Sequence, residues 1–331
     1  MKSIRVPKDW RKFQPKGDCL LIRYGAIGDM LQMSSVAKAL HDQGMRVTLN
    51  TTTPGLSVVK NDPYISSAIL QEKDQIPQTE LREYWTHIGR GFNKVVNLSE
   101  SAERSLLSFA GDRSWSWSKE FRDLLLSVDY LAAQHAVAGI SAPPTPRFYA
   151  TKEERDWAWS YKKRLGPPVI AWALSGSSVH KAYPYTDAVI ASLMLETNVK
   201  VVFVGDELCQ ILEGGWANEP RVICQSGKWS VRQSLAFAQV ADIIVGPETG
   251  ILNGVSHEPV PKVFMLSHSS KSNFLSWVNT TMLTPEECEC FPCHKLHFGW
   301  ATCNRDDTTG AAKCAANISP DRVLEAIRTA L

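Results

Sequence analysis

The sequence predicts an α/β protein of two consecutive Rossmann-like domains facing a cleft, each a parallel sheet whose strands alternate with helices. Three observations carry this. Short apolar runs suited to buried parallel strands, Cys19-Leu20-Leu21-Ile22 and Val169-Ile170-Ala171-Trp172-Ala173-Leu174, open the two halves. Each run leads into a glycine-bearing turn and then a stretch of helical spacing. The alternation restarts after Gly166-Pro167-Pro168, beyond a break at A-P-P-T-P-R-F-Y.

A chain of 331 residues fits about two domains at the usual ~100–200 residues each. The boundary is expected between residues 145 and 167, giving an amino-terminal domain of 1–150 and a carboxyl-terminal domain of 151–331. Acids and bases nearly balance at a net charge of +2, which argues against a broad nucleic-acid surface; no nucleic-acid partner is expected. No apolar run reaches the ~20 residues of a membrane helix. The first sixteen residues hold six bases, one acid, Trp10 and Phe13, without a signal-peptide core. They read as a solvated tail, with a membrane-surface or acceptor-binding arm as the lesser reading. The expected location is cytoplasmic, with peripheral contact at the inner membrane as the variant.

In the first half, strand one leads through Gly25 and Gly28, which let another group approach the backbone closely, into a helix. Met30, Met33, Val36, Ala37 and Leu40 form its apolar stripe. Asp29 lies in the first helical turn at the strand's carboxyl end, the edge where open α/β sheets bind ligands. Two readings of it stay open from spacing: a helix N-cap, or a general base. G-A-I-G is neither a dinucleotide fingerprint nor a P-loop, which disfavours a nicotinamide-dependent enzyme. Strands follow at 46–51, 65–71 and 92–98, with a short helix closed by Asn61-Asp62-Pro63 and helix-compatible residues at 72–90. Ser99-Glu100 opens a further loop and helix. Residues 111–121 read as a mobile aromatic and basic loop, 123–138 as one helix, and 152–164 as another.

The second half repeats the pattern. Strands are predicted at 169–174, 200–205, 221–224, 241–246 and 260–266, with helices at 185–196 and 230–240. Residues 267–316 show no clear element, which is uncommon unless such a stretch is functional or stapled. Ser319-Pro320-Asp321 then caps a last helix with Val323, Leu324, Ile327 and Leu331 on one face.

Three separated motifs, R-Y-G-A-I-G-D-M-L-Q-M-S, S-G-S-S-V-H-K-A-Y-P and V-G-P-E-T-G-I-L-N, together resemble the bacterial heptosyltransferase family, glycosyltransferase family nine. N-D-P-Y-I, F-N-K-V-V-N-L-S, the stretch from Gly227 to Asp242 and C-F-P-C are lesser matches in the same order. The resemblance spans the chain from about residue 19. It implies a B-type glycosyltransferase fold, an acceptor-binding amino-terminal domain and a carboxyl-terminal domain holding an ADP-heptose-like donor. The reaction would be inverting and independent of a catalytic metal or other cofactor. The acceptor would be a lipid-linked glycan such as lipopolysaccharide core, another glycan, or a protein.

By this match Asp29 is the acceptor's general base, flanked by Gly25 and Gly28. Ser177, Ser178 and Lys181 fall on phosphate-binding positions, with Lys181 offsetting charge on the leaving diphosphate; outside the match, Lys181 is an exposed lysine. Glu248, Thr249, Gly250 and Ile251 fall on the donor, the last three opening a helix whose first N–H groups can hold a diphosphate. Two departures bear on sugar choice. Position 248 is Glu where the family usually has Asp, and 253 is Asn where His is common. They leave open a different class, a nucleotide-sugar-binding or scaffold protein that keeps the fold without turnover.

Cys19, Cys209 and Cys224 sit in apolar surroundings and read as buried small hydrophobes. Cys288, Cys290, Cys293, Cys303 and Cys314 cluster in a Cys-rich loop at 286–316. Cys290-Phe-Pro-Cys293 is a C-x-x-C knuckle, and Cys303 and Cys314 would complete four thiolates around one structural ion, iron or zinc. Cys288 is the spare, and reduced free thiols are the plain alternative. Some protein-directed members of the family are similar in carrying a four-cysteine iron finger. Such an ion is expected to lie far from the reaction.

Overall fold

The computed structural model describes residues 1–72, 74–99, 106–166, 168–297 and 299–331. Among them the strands form two sheets, parallel throughout. The first contains β1 (Lys2–Arg5), β2 (Gly17–Ile22), β3 (Val47–Thr52), β4 (Ile65–Gln71) and β5 (Phe92–Asn97), in the order β1-β4-β3-β2-β5. The second contains β6 (Val169–Ala173), β7 (Lys200–Val204), β8 (Val222–Cys224), β9 (Ile243–Pro247), β10 (Lys262–Met265) and β11 (Thr280–Leu283), in the order β11-β10-β9-β6-β7-β8. The second order is that of a doubly wound sheet, built outward from β6 in both directions. The first has the same logic around β2. Each sheet therefore has one place where the strand order reverses, β2 beside β5 and β6 beside β9.

The chain divides into two compact units, Met1–Glu103 with Tyr130–Tyr149, and Arg104–Asp129 with Ala150–Leu331. In the first, the helix Ile27–Asp42 buries Met30, Met33, Val36, Ala37 and Leu40, the stripe its spacing predicted. In the second, Ile170, Trp172, Val201 and Phe203 pack with the helices Thr186–Glu196 and Pro320–Ala330 in one core. Val323, Leu324 and Ile327 face that core, whereas Leu331 is exposed. Among the described residues no helix is long and apolar enough to cross a membrane.

Four segments differ from expectation. The amino terminus is not a loose tail: β1 pairs with β4, and Trp10 is buried edge-on against Tyr84, centroids 5.6 Å apart. Every side chain of β1 is exposed, so its strand carries no apolar alternation to read. The helix expected over 123–138 is two, Lys119–Leu126 and Tyr130–Ala138. Asn273 Nδ2 donates to the carbonyls of Leu126 and Val128 at 2.7 and 2.9 Å, capping the first helix where the pattern ran on. Residues 111–121 are anchored rather than free, because the Arg122 guanidinium donates to the carbonyls of Trp115 and Trp117. The stretch 267–316 contains β11 and short turns at Lys271–Phe274, Trp300–Thr302 and Lys313–Ala316. The helix expected after Ser99-Glu100 lies outside the described residues.

Asp62, in the N-D-P-Y turn that starts β4, has a testable signature. Its Oδ1 accepts from Tyr64 N at 2.9 Å, but Oδ2 is buried without a partner. Burial raises its carboxyl to about 7. The folded chain then holds a proton that the unfolded chain releases near 4, so stability falls as pH rises from about 4 to 7. Asp62→Asn should flatten this slope and stabilise the protein at pH 8 by on the order of 2–4 kcal/mol. Thermal unfolding of both proteins at pH 5 and pH 8 checks it; parallel pH dependence would contradict the assignment.

Candidate active site

The loop after β2 is organised by a buried cation. Arg23 closes the strand with no solvent exposure, and its Nη1 donates to the carbonyl of Leu98, just past β5, at 2.5 Å. Its Nη2 meets Asp29 Oδ1 at 2.9 Å. Asp29 Oδ2 accepts from the backbone N–H of Ala26 at 2.7 Å. Asp29 is therefore not the N-cap: Ala26 holds that position, and Asp29 supplies the third-residue arm of a capping box. Gly25 is required here. Its φ of +141° suits glycine, and a Cβ on it would lie 2.4 Å from Asp29 Oδ2. Gly28 lies inside the helix and takes no part in the turn. The first switch point thus presents a carboxylate one-quarter exposed, held from two sides.

The loops after β6 and β9 meet at the second switch point. A Cβ on Gly176 would come within 2.8 Å of Lys181 Cδ and 3.1 Å of the Glu248 carbonyl, so a larger residue would require both to give way. Ser177 is exposed. Ser178 is buried, and its hydroxyl has no hydrogen-bond partner. Lys181 is not an exposed lysine: it is 9% accessible and makes no ion pair among the described residues. Glu248 feels its charge, but burial dominates and raises the Glu248 carboxyl. Thr249 caps the helix Gly250–Gly254 by accepting from Leu252 N at 3.4 Å. That helix has five residues, so Gly250 and Ile251 offer a ligand free N–H groups rather than a macrodipole. Asn253 Nδ2 donates to the Thr249 carbonyl at 2.9 Å, an interaction inside the helix.

Behind these loops lies a row of histidines. His268 Nε2 is 3.2 Å from Glu248 Oε2, and its Nδ1 is 3.2 Å from His180 Nε2. The His180 and His297 rings meet edge-to-face at 5.6 Å. Burial lowers the pKa of both His180 and His268, so both are neutral imidazoles at pH 7. His180, His268 and His297 line a cavity of about 170 Å³ whose other walls include Cys290, Cys293, Cys303 and Cys314. Cys288 Sγ lies 3.5 Å from Cys290 Sγ and brings the Cys290 thiol down to about 6. Burial pushes Cys293 and Cys303 up to about 11 and Cys314 higher still.

The four sulfurs expected together thus share one cavity. Their chemistry suits a soft tetrahedral ion, but no three His, Cys, Asp or Glu side chains among the described residues are arranged to hold one. An ion held there was expected to lie far from the reaction, yet the cluster lies close to one of the donor motifs in space. His180, next in sequence to Lys181, lines the same cavity as Cys290.

No protein-family model and no curated protein sequence matches the chain. Solved structures do. The E. coli ADP-heptose lipopolysaccharide heptosyltransferase II aligns at TM-score 0.65 and 14% identity, covering 95% of this chain and 98% of its own. A family 9 glycosyl transferase from Veillonella parvula aligns at TM-score 0.66 and 13% identity, covering 96% and 98%. The iron-containing dodecameric glycosyltransferase TibC of enterotoxigenic E. coli aligns at TM-score 0.61 and 12% identity, covering 96% and 77%.

The chain has the heptosyltransferase fold.

Within that B-type glycosyltransferase fold, reading the sequence missed Arg23, His180 and His268. Arg23 had one signal, a charge closing an apolar strand. His180 lay inside a quoted motif unassigned, and His268 had no signal, because it meets Glu248 only through the parallel register of β9 and β10.

Proposed function

We propose that this protein is an inverting glycosyltransferase that moves a heptose-like sugar from an ADP-heptose donor to a hydroxyl of a glycan, lipid-linked glycan or protein. The observation that carries the reading is Lys181. Its side chain is largely enclosed, at 9% accessibility, yet the ammonium makes no ion pair among the described residues and is left for an anion to complete; three residues before it the Ser178 hydroxyl is buried without a partner. A nucleoside diphosphate supplies that anion. The amino-terminal unit takes the acceptor and the carboxyl-terminal unit the donor. The acceptor oxygen attacks the anomeric carbon, and the bond from that carbon to the diphosphate oxygen breaks. The acceptor proton passes to Asp29. ADP leaves with its charge gathered against Lys181 and the Ser177 and Ser178 hydroxyls, while Glu248 and the N–H groups at Thr249, Gly250 and Ile251 hold the donor.

The competing reading is a nucleotide-sugar-binding protein without turnover. It draws on Asp29, whose Oδ2 already accepts from Ala26 N–H and whose Oδ1 is ion-paired with Arg23. Incubation with ADP-, UDP- and GDP-sugars, read as donor hydrolysis and as mass added to candidate acceptors, separates the two. Transfer from ADP-heptose supports the enzyme, and tight binding with no turnover of any donor supports the alternative.

Asp29→Asn should stay folded, since the amide oxygen can still accept from the Ala26 N–H, and should keep ADP affinity while losing ~10²–10⁴-fold in transfer. A loss under about tenfold removes Asp29 from the base role. Lys181→Ala should weaken ADP binding and turnover together, read by calorimetry and initial rates. Equal affinity and unchanged turnover would make Lys181 a bystander.

The cysteine cluster remains a proposed site for one structural iron or zinc ion, held by Cys290, Cys293, Cys303 and Cys314, with Cys288 in reserve. Binding would draw together sulfurs that already share a cavity and would stabilise a segment with a small core of its own. Elemental analysis of protein purified without chelator should find close to one equivalent. Less than about a tenth of an equivalent, with all thiols titratable in the native protein, would end the proposal.

A further inference from the structure

We propose that His268 is a positioning residue for the donor sugar: its Nε2–H holds the Glu248 carboxylate as the acceptor of a sugar hydroxyl, and His180 fixes its tautomer from behind. This rests on the glycosyltransfer reading of the donor loops.

Glu248 is a longer acid than Asp. Its carboxyl sits one methylene further from the backbone than an Asp would place it, in a pocket that leaves its side chain 12% exposed. A longer carboxylate needs a fixed donor to define where its oxygens point. Ser269 Oγ donates to Glu248 Oε2 at 3.3 Å, and His268 Nε2 stands 3.2 Å from the same oxygen. The His268 contact is short but bent out of hydrogen-bond alignment, leaving Nε2 formally unpartnered and 1% exposed. A small rotation of the Glu248 carboxylate completes it, and a sugar hydroxyl donating to Oε1 would favour that rotation.

The tautomer of His268 follows from its two neighbours. His268 Nδ1 and His180 Nε2, 3.2 Å apart, share one proton between two neutral rings. With the carboxylate demanding the proton on His268 Nε2, His268 Nδ1 is the acceptor and His180 Nε2 the donor. With Glu248 ionised, any other arrangement of the two rings, edge-to-face at 4.8 Å, sets a lone pair against the carboxylate; the Ser267 hydroxyl, 3.3 Å from His268 Nδ1, can donate to the same acceptor. The backbone of His268 is pinned as well, its carbonyl accepting from His294 N at 2.8 Å. His268 has no comparable purpose as packing, since two neutral imidazoles buried to this depth cost more than apolar side chains of the same volume.

Two amides separate this role from simple space filling. A glutamine amide reaches the place of the imidazole Nε2, whereas an asparagine amide reaches only that of Nδ1. Calorimetry with ADP and with ADP-heptose should be run on the wild type, His268→Gln and His268→Asn, each checked for folding by thermal unfolding. All three should bind ADP alike, because the nucleotide does not depend on Glu248. His268→Gln should keep the extra affinity for ADP-heptose, and His268→Asn should lose about tenfold or more of it. Equal losses in both variants, or a matching loss toward ADP, would make His268 structural and overturn the proposal. Should either variant unfold, a Glu248→Gln comparison in the wild-type background decides, since loss of sugar affinity there is required. A wild type that binds ADP-heptose no better than ADP removes Glu248 from sugar recognition and the proposal with it. A wild type that binds neither overturns the donor reading itself.

Discussion

The reversal of strand order between β6 and β9 is the constraint on which the rest of the second unit depends. Strands built outward in both directions from β6 send their following segments apart, which opens a crevice at the carboxyl edge. Polar side chains collect there: Ser178 and Lys181 after β6, Glu248 and Thr249 after β9, His268 after β10. Gly176, lacking a Cβ, lets the first loop lie against the Glu248 carbonyl. The close approach of the two loops brings Lys181 and Glu248 to the same edge.

The two switch points are electrostatically unlike. At the first, Arg23 is fully buried but meets both a carboxylate and a carbonyl, so its charge is satisfied within the chain. At the second, the Lys181 side chain is 9% accessible and has no ion pair among the described residues, while Glu248 is held toward its neutral form by burial. Bringing a cation and a carboxyl this far out of water without pairing them costs free energy, and a chain selected only for stability would remove such groups. The unpaired site is thus the one suited to receive a charged ligand, and the paired site is suited to orient a carboxylate without one.

Much of the architecture was legible because buried parallel strands are apolar runs and their helices carry a stripe. The strands Ile65–Gln71 and Val169–Ala173 were readable to within a residue for that reason. The failures share a cause. β1 presents no buried face, and β11 is four residues inside a long polar stretch, so both exist through pairing that a local pattern does not record. The break between Leu126 and Tyr130 depends on Asn273, far along the chain. At the site, motif residues could be named, but their burial could not. Lys181 reads as a solvated cation from its neighbours in sequence and is buried by its neighbours in space.

The cysteine-rich segment bears on the same crevice. It docks through backbone bonds, Ser108 N to the His294 carbonyl at 2.7 Å and Leu296 N to the Ser108 carbonyl at 3.0 Å. Arg122 Nε adds a bond to the Cys293 carbonyl at 2.8 Å. Its own apolar cluster is small, centred on Ala312, Cys314 and Ala315. A segment with so little core is ordered chiefly by what it touches, and it touches His180 and His268 across the shared cavity. An ion bound by the thiols would stabilise that wall by mass action, and a ligand that tightens Glu248 and His268 would stabilise it from the other side. Linkage makes the two effects equal: whatever factor the ion contributes to donor affinity, the donor contributes to ion affinity. The position of the cysteines against the donor loop, rather than their number, is what gives a structural ion there a route to donor affinity.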